Sequence, residues 1–167
     1  MKRVLVCVLL LLVGGVVFSQ EWTETEIGDM SVRYAVSDGD LLLSVTAPTR
    51  GWAAIGFEPT RAMRDANILI GYVDDDSGEV VVEDDFGNTM FTHVPDENLG
   101  GESNVAVTGG TQTRDSTTIE FSIPLDSGDQ YDQPLVVGTT VHIILAWGAN
   151  DNIRVKHRRH YSGTIDL

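Results

Sequence analysis

The chain predicts an all-β fold, an antiparallel β-sandwich of about ten strands in one domain. Short runs of apolar and polar residues recur at regular spacing, and clusters of Gly, Asp, Asn and Pro separate them. Almost no stretch carries a 3.6-residue apolar repeat. With 167 residues, 42% hydrophobic and 22% charged, the composition is that of an ordinary globular domain.

Residues 30–36 alternate in polarity, and Ser37-Asp38-Gly39-Asp40 turns the chain into a second run at 41–47, a hairpin. Gly51-Trp52-Ala53-Ala54-Ile55-Gly56-Phe57 is an apolar strand, followed by an irregular or helical turn over 59–65. Residues 67–73 connect to a strand at 78–83 through the acidic turn Asp74-Asp75-Asp76-Ser77. The polar, Gly-rich stretch 87–110 reads as long loops, with a short strand at 104–107. Strands at 117–123 and 140–147 follow, and runs at 153–157 and 164–167 close the chain.

Lys2-Arg3 before an apolar run over 4–17 and Ser19 form the pattern of a secretory signal peptide, residues 1–19, with the folded domain over 20–167. The run is shorter than the roughly 20 residues that span a bilayer. Export to a periplasm, an envelope or the cell exterior is the expectation. The single cysteine, Cys7, lies in that leader, so the mature domain has no disulfide, no disulfide-linked partner and no thiolate-bound metal. Cleavage also removes Lys2 and Arg3 from the 11 basic residues, leaving 9 against 25 acidic, a formal −16 in place of −14. Such a surface repels nucleic acid and anionic membrane surfaces. No G-x-S-x-G, H-E-x-x-H or P-loop occurs, so no catalytic constellation is expected.

Several elements occur together in order: Gly51–Phe57, then Met63, then Asp65-Ala66-Asn67-Ile68-Leu69-Ile70-Gly71-Tyr72-Val73, then Val82-Glu83-Asp84-Asp85-Phe86. His142–Gly148 and the basic segment Lys156-His157-Arg158-Arg159-His160 complete the series. In this the chain resembles the DOMON domain family over roughly residues 22–167. The resemblance implies an immunoglobulin-like sandwich and two kinds of function. Some members, similar to the cytochrome domain of cellobiose dehydrogenase, hold haem b non-covalently between one Met and one His. Others bind carbohydrate or another small ligand without haem.

Met63 occupies the position of the axial Met in the haem-binding members, and the resemblance puts the partner His on one of the last strands. Met63 also sits in the polar setting Arg61-Ala62-Met63-Arg64, where reaching a cofactor gives a thioether a reason to be present. Its alternative is gap-filling beneath a loop. Alternation over 153–157 puts Ile153, Val155 and His157 on one face, with Arg154, Lys156 and Arg158 on the other. His157 is therefore the expected iron ligand, with His160 in reserve because an unbroken strand carries it to the polar face. Trp52 and Tyr72 are candidates to pack against a porphyrin, and otherwise belong to the core with Phe57 and Trp147. Arg158 and Arg159 are candidates to pair with haem propionates, Lys156 standing beside them. His93 is expected to be solvated, and His142 partly buried. The turn 74–79 offers carboxylates to Ca²⁺ but lacks the full loop spacing, and an acidic hairpin turn is the preferred reading.

Two functions follow from the resemblance. One is an exported electron carrier that passes electrons to or from a redox partner protein, free or membrane-bound. The other is a haem-free binding module.

Overall fold

The structure, a computed structural model, describes residues 21–167. The expected signal peptide over 1–19 lies outside the described residues.

Among the described residues eleven strands form two antiparallel sheets. The first sheet runs in the order β1 (Thr23–Ile27), β2 (Met30–Ser37), β3 (Asp40–Ala47), β9 (Thr117–Pro124), β8 (Ala106–Gln112). The second runs β11 (Arg159–Asp166), β10 (Thr140–Trp147), β4 (Ala53–Phe57), β5 (Asn67–Val73), β6 (Val80–Phe86), β7 (Val94–Pro95). A single 3-10 turn, Asp96–Leu99, follows β7. The β2–β3 hairpin turns on Asp38 and Gly39 at φ 54° and 93°, the two positive angles that a two-residue turn matched to strand twist requires. The expected all-β sandwich is the observed fold.

The two sheets bury Val32, Leu43, Phe57, Leu69, Phe121 and Ile143 between them, together with Trp147. Alternation does this work in the first sheet, whose outer face is polar: Arg33 pairs with Ser44, Ser44 with Glu120, and Thr46 with Thr118. The second sheet differs. Every residue of β4 is buried, and in β5 every residue except Tyr72. Such strands are covered on both faces. Outside the sandwich Trp52, Ala54, Ala66, Ile68, Ile70 and Ile153 form a second apolar cluster, against which Met63, Tyr72, Ile144 and Ala146 pack. A sheet whose outer face is this apolar must be roofed, and here the roof consists of two loops, residues 58–66 and 148–158.

Several local expectations are corrected. Residues 153–157 are a turn running into a bend and irregular chain, because Asn150 Oδ1 accepts from the Asn152 amide and Asn152 Oδ1 from the Arg154 amide, each at 3.0 Å. These side-chain bonds curl the backbone out of an extended ladder. The last strand instead starts at Arg159 and is longer than expected. The stretch 87–110 contains β7, the 3-10 turn and the start of β8, so it is not all loop. The strand expected at 104–107 falls at β8, Ala106–Gln112. β1 and β7 are additional. Among the described residues no helix is long and apolar enough to cross a membrane.

Candidate cofactor site on the outer face of the second sheet

Register defines the floor of the site. Ala146, Ala54 and Ile70 stand side by side across β10, β4 and β5, and Ile144, Gly56 and Ile68 form the next row. The centre of this floor is low: a Cβ at Gly56 would lie 2.9 Å from Ile144 Cγ1 and 3.1 Å from Ile68 Cγ1. Trp52, just before β4, is buried, and its indole Nε1–H has no acceptor. Tyr72, half-buried, closes the far side beyond Ile70.

Met63 is half-buried and lies on one roof loop, which is held in a contorted path. Glu58, Ala62 and Asp65 take left-handed φ angles of 48°, 54° and 64°. Such conformations cost about 1–3 kcal/mol each unless surrounding contacts impose them. Backbone bonds supply that constraint: Thr60 N–H to Arg64 O at 2.9 Å, Arg64 N–H to Arg61 O at 3.0 Å, and Asp65 N–H to Gly87 O at 2.8 Å. Gly87 N–H returns to Ala66 O at 2.9 Å, and Gln133 Nε2 donates to Asp65 O at 2.7 Å. Gly87 is required here, since a Cβ would sit 1.6 Å from the Met63 carbonyl oxygen.

The other roof loop carries Ile153 and His157. Its base is fixed by Trp52 N–H to Asn150 O at 3.2 Å, Gly148 N–H to Trp52 O at 3.0 Å and Arg158 N–H to Trp147 O at 2.8 Å. His157 is half-buried, and burial first, then the nearby His160 and Lys156, lowers its pKa below the ordinary imidazole value. Its ring is therefore held in the neutral form that can ligate a metal. His160 lies 4.7 Å away, ring centre to ring centre, the planes tilted by 53°.

The two histidines reach this place by routes other than the expected one. His157 does not share a strand face with Ile153 and Val155, because that segment is turned and Val155 is 41% exposed. His160, expected on a polar face, pairs with Ala146 and so faces the same side of the sheet as the apolar floor. It is exposed because β11 is the edge strand. Arg158, Arg159 and Lys156 are exposed, and among the described residues none forms a salt bridge.

Two further expectations are overturned. His93 is half-buried, its Nδ1 2.5 Å from Oδ2 of the fully buried Asp85. His142 is exposed, because β10 alternates and it falls on the side opposite Val141 and Ile143. Asp85 also accepts from Arg154 Nη1 at 2.8 Å, and Arg154 pairs with Glu83. Arg154 thus ties the His157 loop to β6, and His93 ties the segment after Gly87 to the same carboxylate. This clamp was not anticipated, and its one visible signal was the pair of acids Glu83 and Asp85 at alternate, outward-facing positions of β6. The turn at 74–79 is the acidic hairpin turn expected: Asp74 Oδ1 accepts from the Ser77 amide at 2.7 Å and its hydroxyl at 2.8 Å, which lowers the Asp74 pKa.

Comparison with known proteins follows this geometry. The cytochrome b domain of pyranose dehydrogenase from Coprinopsis cinerea superposes with a TM-score of 0.60 over 83% of this chain and 76% of that one, at 13% identity. The cytochrome domain of Myriococcum thermophilum cellobiose dehydrogenase gives 0.60 over 83% and 74%, at 9% identity. These likenesses are of fold. MOXD1 homolog 1 of Drosophila melanogaster is 26% identical over 146 residues, covering 84% of this chain, which spans about a fifth (21%) of that relative's length. The DOMON domain pattern matches residues 26–148, and the chain belongs to the DOMON domain family.

Proposed function

We propose that the domain is an exported electron carrier that holds haem b on the outer face of the second sheet, with Met63 and His157 as iron ligands and His160 in reserve. The observation that carries this reading is the asymmetry of the sandwich. Among the described residues one sheet has an apolar outer face, that face has a low floor of Ala54, Gly56 and Ala146, the two loops that roof it carry a thioether and an imidazole, and a second imidazole, His160, stands beside them on the edge strand. The chemistry of the donors fits the group: a half-buried Met beside an apolar cluster, and a His kept neutral by burial. The unpartnered indole N–H of Trp52 gives the same face a buried donor awaiting an acceptor.

When bound, haem supplies a one-electron ferric/ferrous couple. The chain's residues do the rest. Met63 and His157 would hold the iron together, which would leave it no open site for a substrate and suits electron transfer rather than catalysis. Trp52 and Tyr72, part of the apolar cluster on this face, would exclude water from the bound group. Arg158 and Arg159, exposed next to His157, are placed to meet propionates at the protein surface. The formal −16 of the mature domain steers a positively charged docking patch on a redox partner, and salt weakens that steering.

Titration of the mature domain with haem tests the assignment. The expected product is a stoichiometric low-spin complex, converted to high-spin by His157→Ala and left low-spin by His160→Ala. The reverse pattern moves the ligand to His160. No haem uptake by the wild-type domain overturns the reading, and a glycan-binding response in its place supports a haem-free module.

A further inference from the structure

On the inner side of the second sheet, three carboxylates converge from distant parts of the chain. Asp84 lies on β6, Asp96 in the 3-10 turn, and Asp132 in the segment between β9 and β10. One oxygen from each lies within 4.8 Å of the others. Asp84 is 3% exposed and Asp96 fully buried. Their polar needs are not met: both oxygens of Asp96 and Oδ1 of Asp84 have no hydrogen-bond partner. A neutral group completes the set. Asn67, 4% exposed, donates Nδ2 to Asp132 Oδ1 at 2.6 Å, while its own carbonyl oxygen has no partner. Among the described residues no Lys, Arg or His forms a salt bridge with any of these acids.

Buried carboxylates without a counter-charge are costly, and a cluster of three is costlier because each repels the others. Two species can relieve it, protons or a cation. Burial, and for Asp96 the charge of Asp84 as well, raises Asp84 to about 7 and Asp96 to about 8, so a proton-filled cluster is the competing state. The donor set favours calcium among cations. Calcium takes six to eight oxygen ligands at about 2.3–2.6 Å in a flexible shell, whereas magnesium demands near-ideal octahedral geometry at about 2.0–2.1 Å and gives up its waters reluctantly, which suits it poorly to a cluster of protein carboxylates.

We propose that Asp84, Asp96 and Asp132 form a calcium-binding site, with the Asn67 amide holding Asp132 in place. Water completes the coordination shell that calcium requires. The ion joins β6, the 3-10 turn and the segment carrying Asp132. Gln133, next in sequence, holds the Asp65 carbonyl at 2.7 Å, so the same ion braces the loop that presents Met63. The site does not depend on haem, and its failure leaves the haem reading intact.

Calorimetric titration of the haem-free, chelator-treated mature domain with CaCl₂ and with MgCl₂ tests this, alongside thermal unfolding in calcium or EDTA. The expected result is one calcium per chain, at least tenfold preference over magnesium, and a Tm rise of about 5–10 °C at a hundredfold excess over Kd. Asp96→Asn and Asp132→Asn abolish the binding heat and the Tm rise. Asp96→Asn keeps the folded state in EDTA, since its neutral amide replaces a carboxyl that burial keeps protonated there, which separates lost binding from lost folding. Substituting Asp75 and Asp76 in the exposed hairpin turn leaves both signals in place. No calcium heat in the wild type, or an unchanged response in Asp96→Asn and Asp132→Asn, overturns the site.

Discussion

Substituting Gly87 by Ala probes the support of Met63 without touching any apolar residue of the site. The added Cβ would lie 1.6 Å from the Met63 carbonyl oxygen, against an ordinary carbon–oxygen contact of about 3.3 Å, so the loop must retreat by about 1.7 Å. The obstacle is backbone, which no rotamer change can relieve. Retreat breaks Gly87 N–H to Ala66 O at 2.9 Å and Asp65 N–H to Gly87 O at 2.8 Å, and strains Met63 N–H to Met90 O at 3.5 Å. At about 0.5–1.5 kcal/mol per bond, the expected loss is about 2–3 kcal/mol. Urea unfolding of the haem-free protein measures it, and haem titration of the same variant reads whether the thioether still reaches its place. The expected outcome is a lowered midpoint and loss of the low-spin spectrum. A Gly87→Ala protein within about 0.5 kcal/mol of wild type, with an unaltered spectrum, would refute the claim that this loop is held rigidly against Gly87.

Other outcomes follow from the same contacts. Arg154→Met strands the buried Asp85 with His93 alone and is expected to cost about 1–2 kcal/mol in urea unfolding, discounted because Arg154 is 46% exposed, whereas Glu83→Gln costs under about 0.5 kcal/mol. Equal costs for the two would contradict the clamp. With divalent ions chelated, Asp84 at about 7 and Asp96 at about 8 bind protons more tightly in the folded than in the unfolded chain. The stability they contribute is full below about pH 4 and lost as pH rises to about 8, so unfolding midpoints in EDTA fall across that window and flatten in the Asp84→Asn, Asp96→Asn double variant. Asp132, Asp129 and Asp85, the other acids facing this pair, push in the same direction. Leu43→Ala, at the centre of the sandwich on the opposite sheet, is expected to cost about 2–5 kcal/mol without altering calcium binding, as thermal unfolding with and without the ion will report.

The sandwich was legible because its strands obey local rules. The hairpin at Asp38-Gly39 and the unbroken apolar runs of β4 and β5 report their turn and their double burial directly. β1 was not, since Thr23-Glu24-Thr25-Glu26-Ile27 lies at a sheet edge and its first four residues bury little. The run Ile153-Arg154-Val155-Lys156-His157 misled for a physical reason. Its alternation imitates a strand, yet the Asn150 and Asn152 side chains capture backbone amides and coil the segment. The position of Met63 was readable from motif order, but the glycine that holds its loop was not, because Gly87 meets it only after β5 and β6 have paired. The carboxylate cluster was also hidden: Asp84, Asp96 and Asp132 are far apart in sequence and belong to no spaced motif.

The central claim is that Met63 and a histidine of the last segment share one iron on the apolar outer face. Its most direct measurement is the visible spectrum of the reduced, haem-titrated mature domain beside that of Met63→Ala. The account predicts sharp low-spin bands at one haem per chain in the wild type, and a high-spin spectrum with weakened haem retention in the variant. Identical spectra from the two proteins would contradict it.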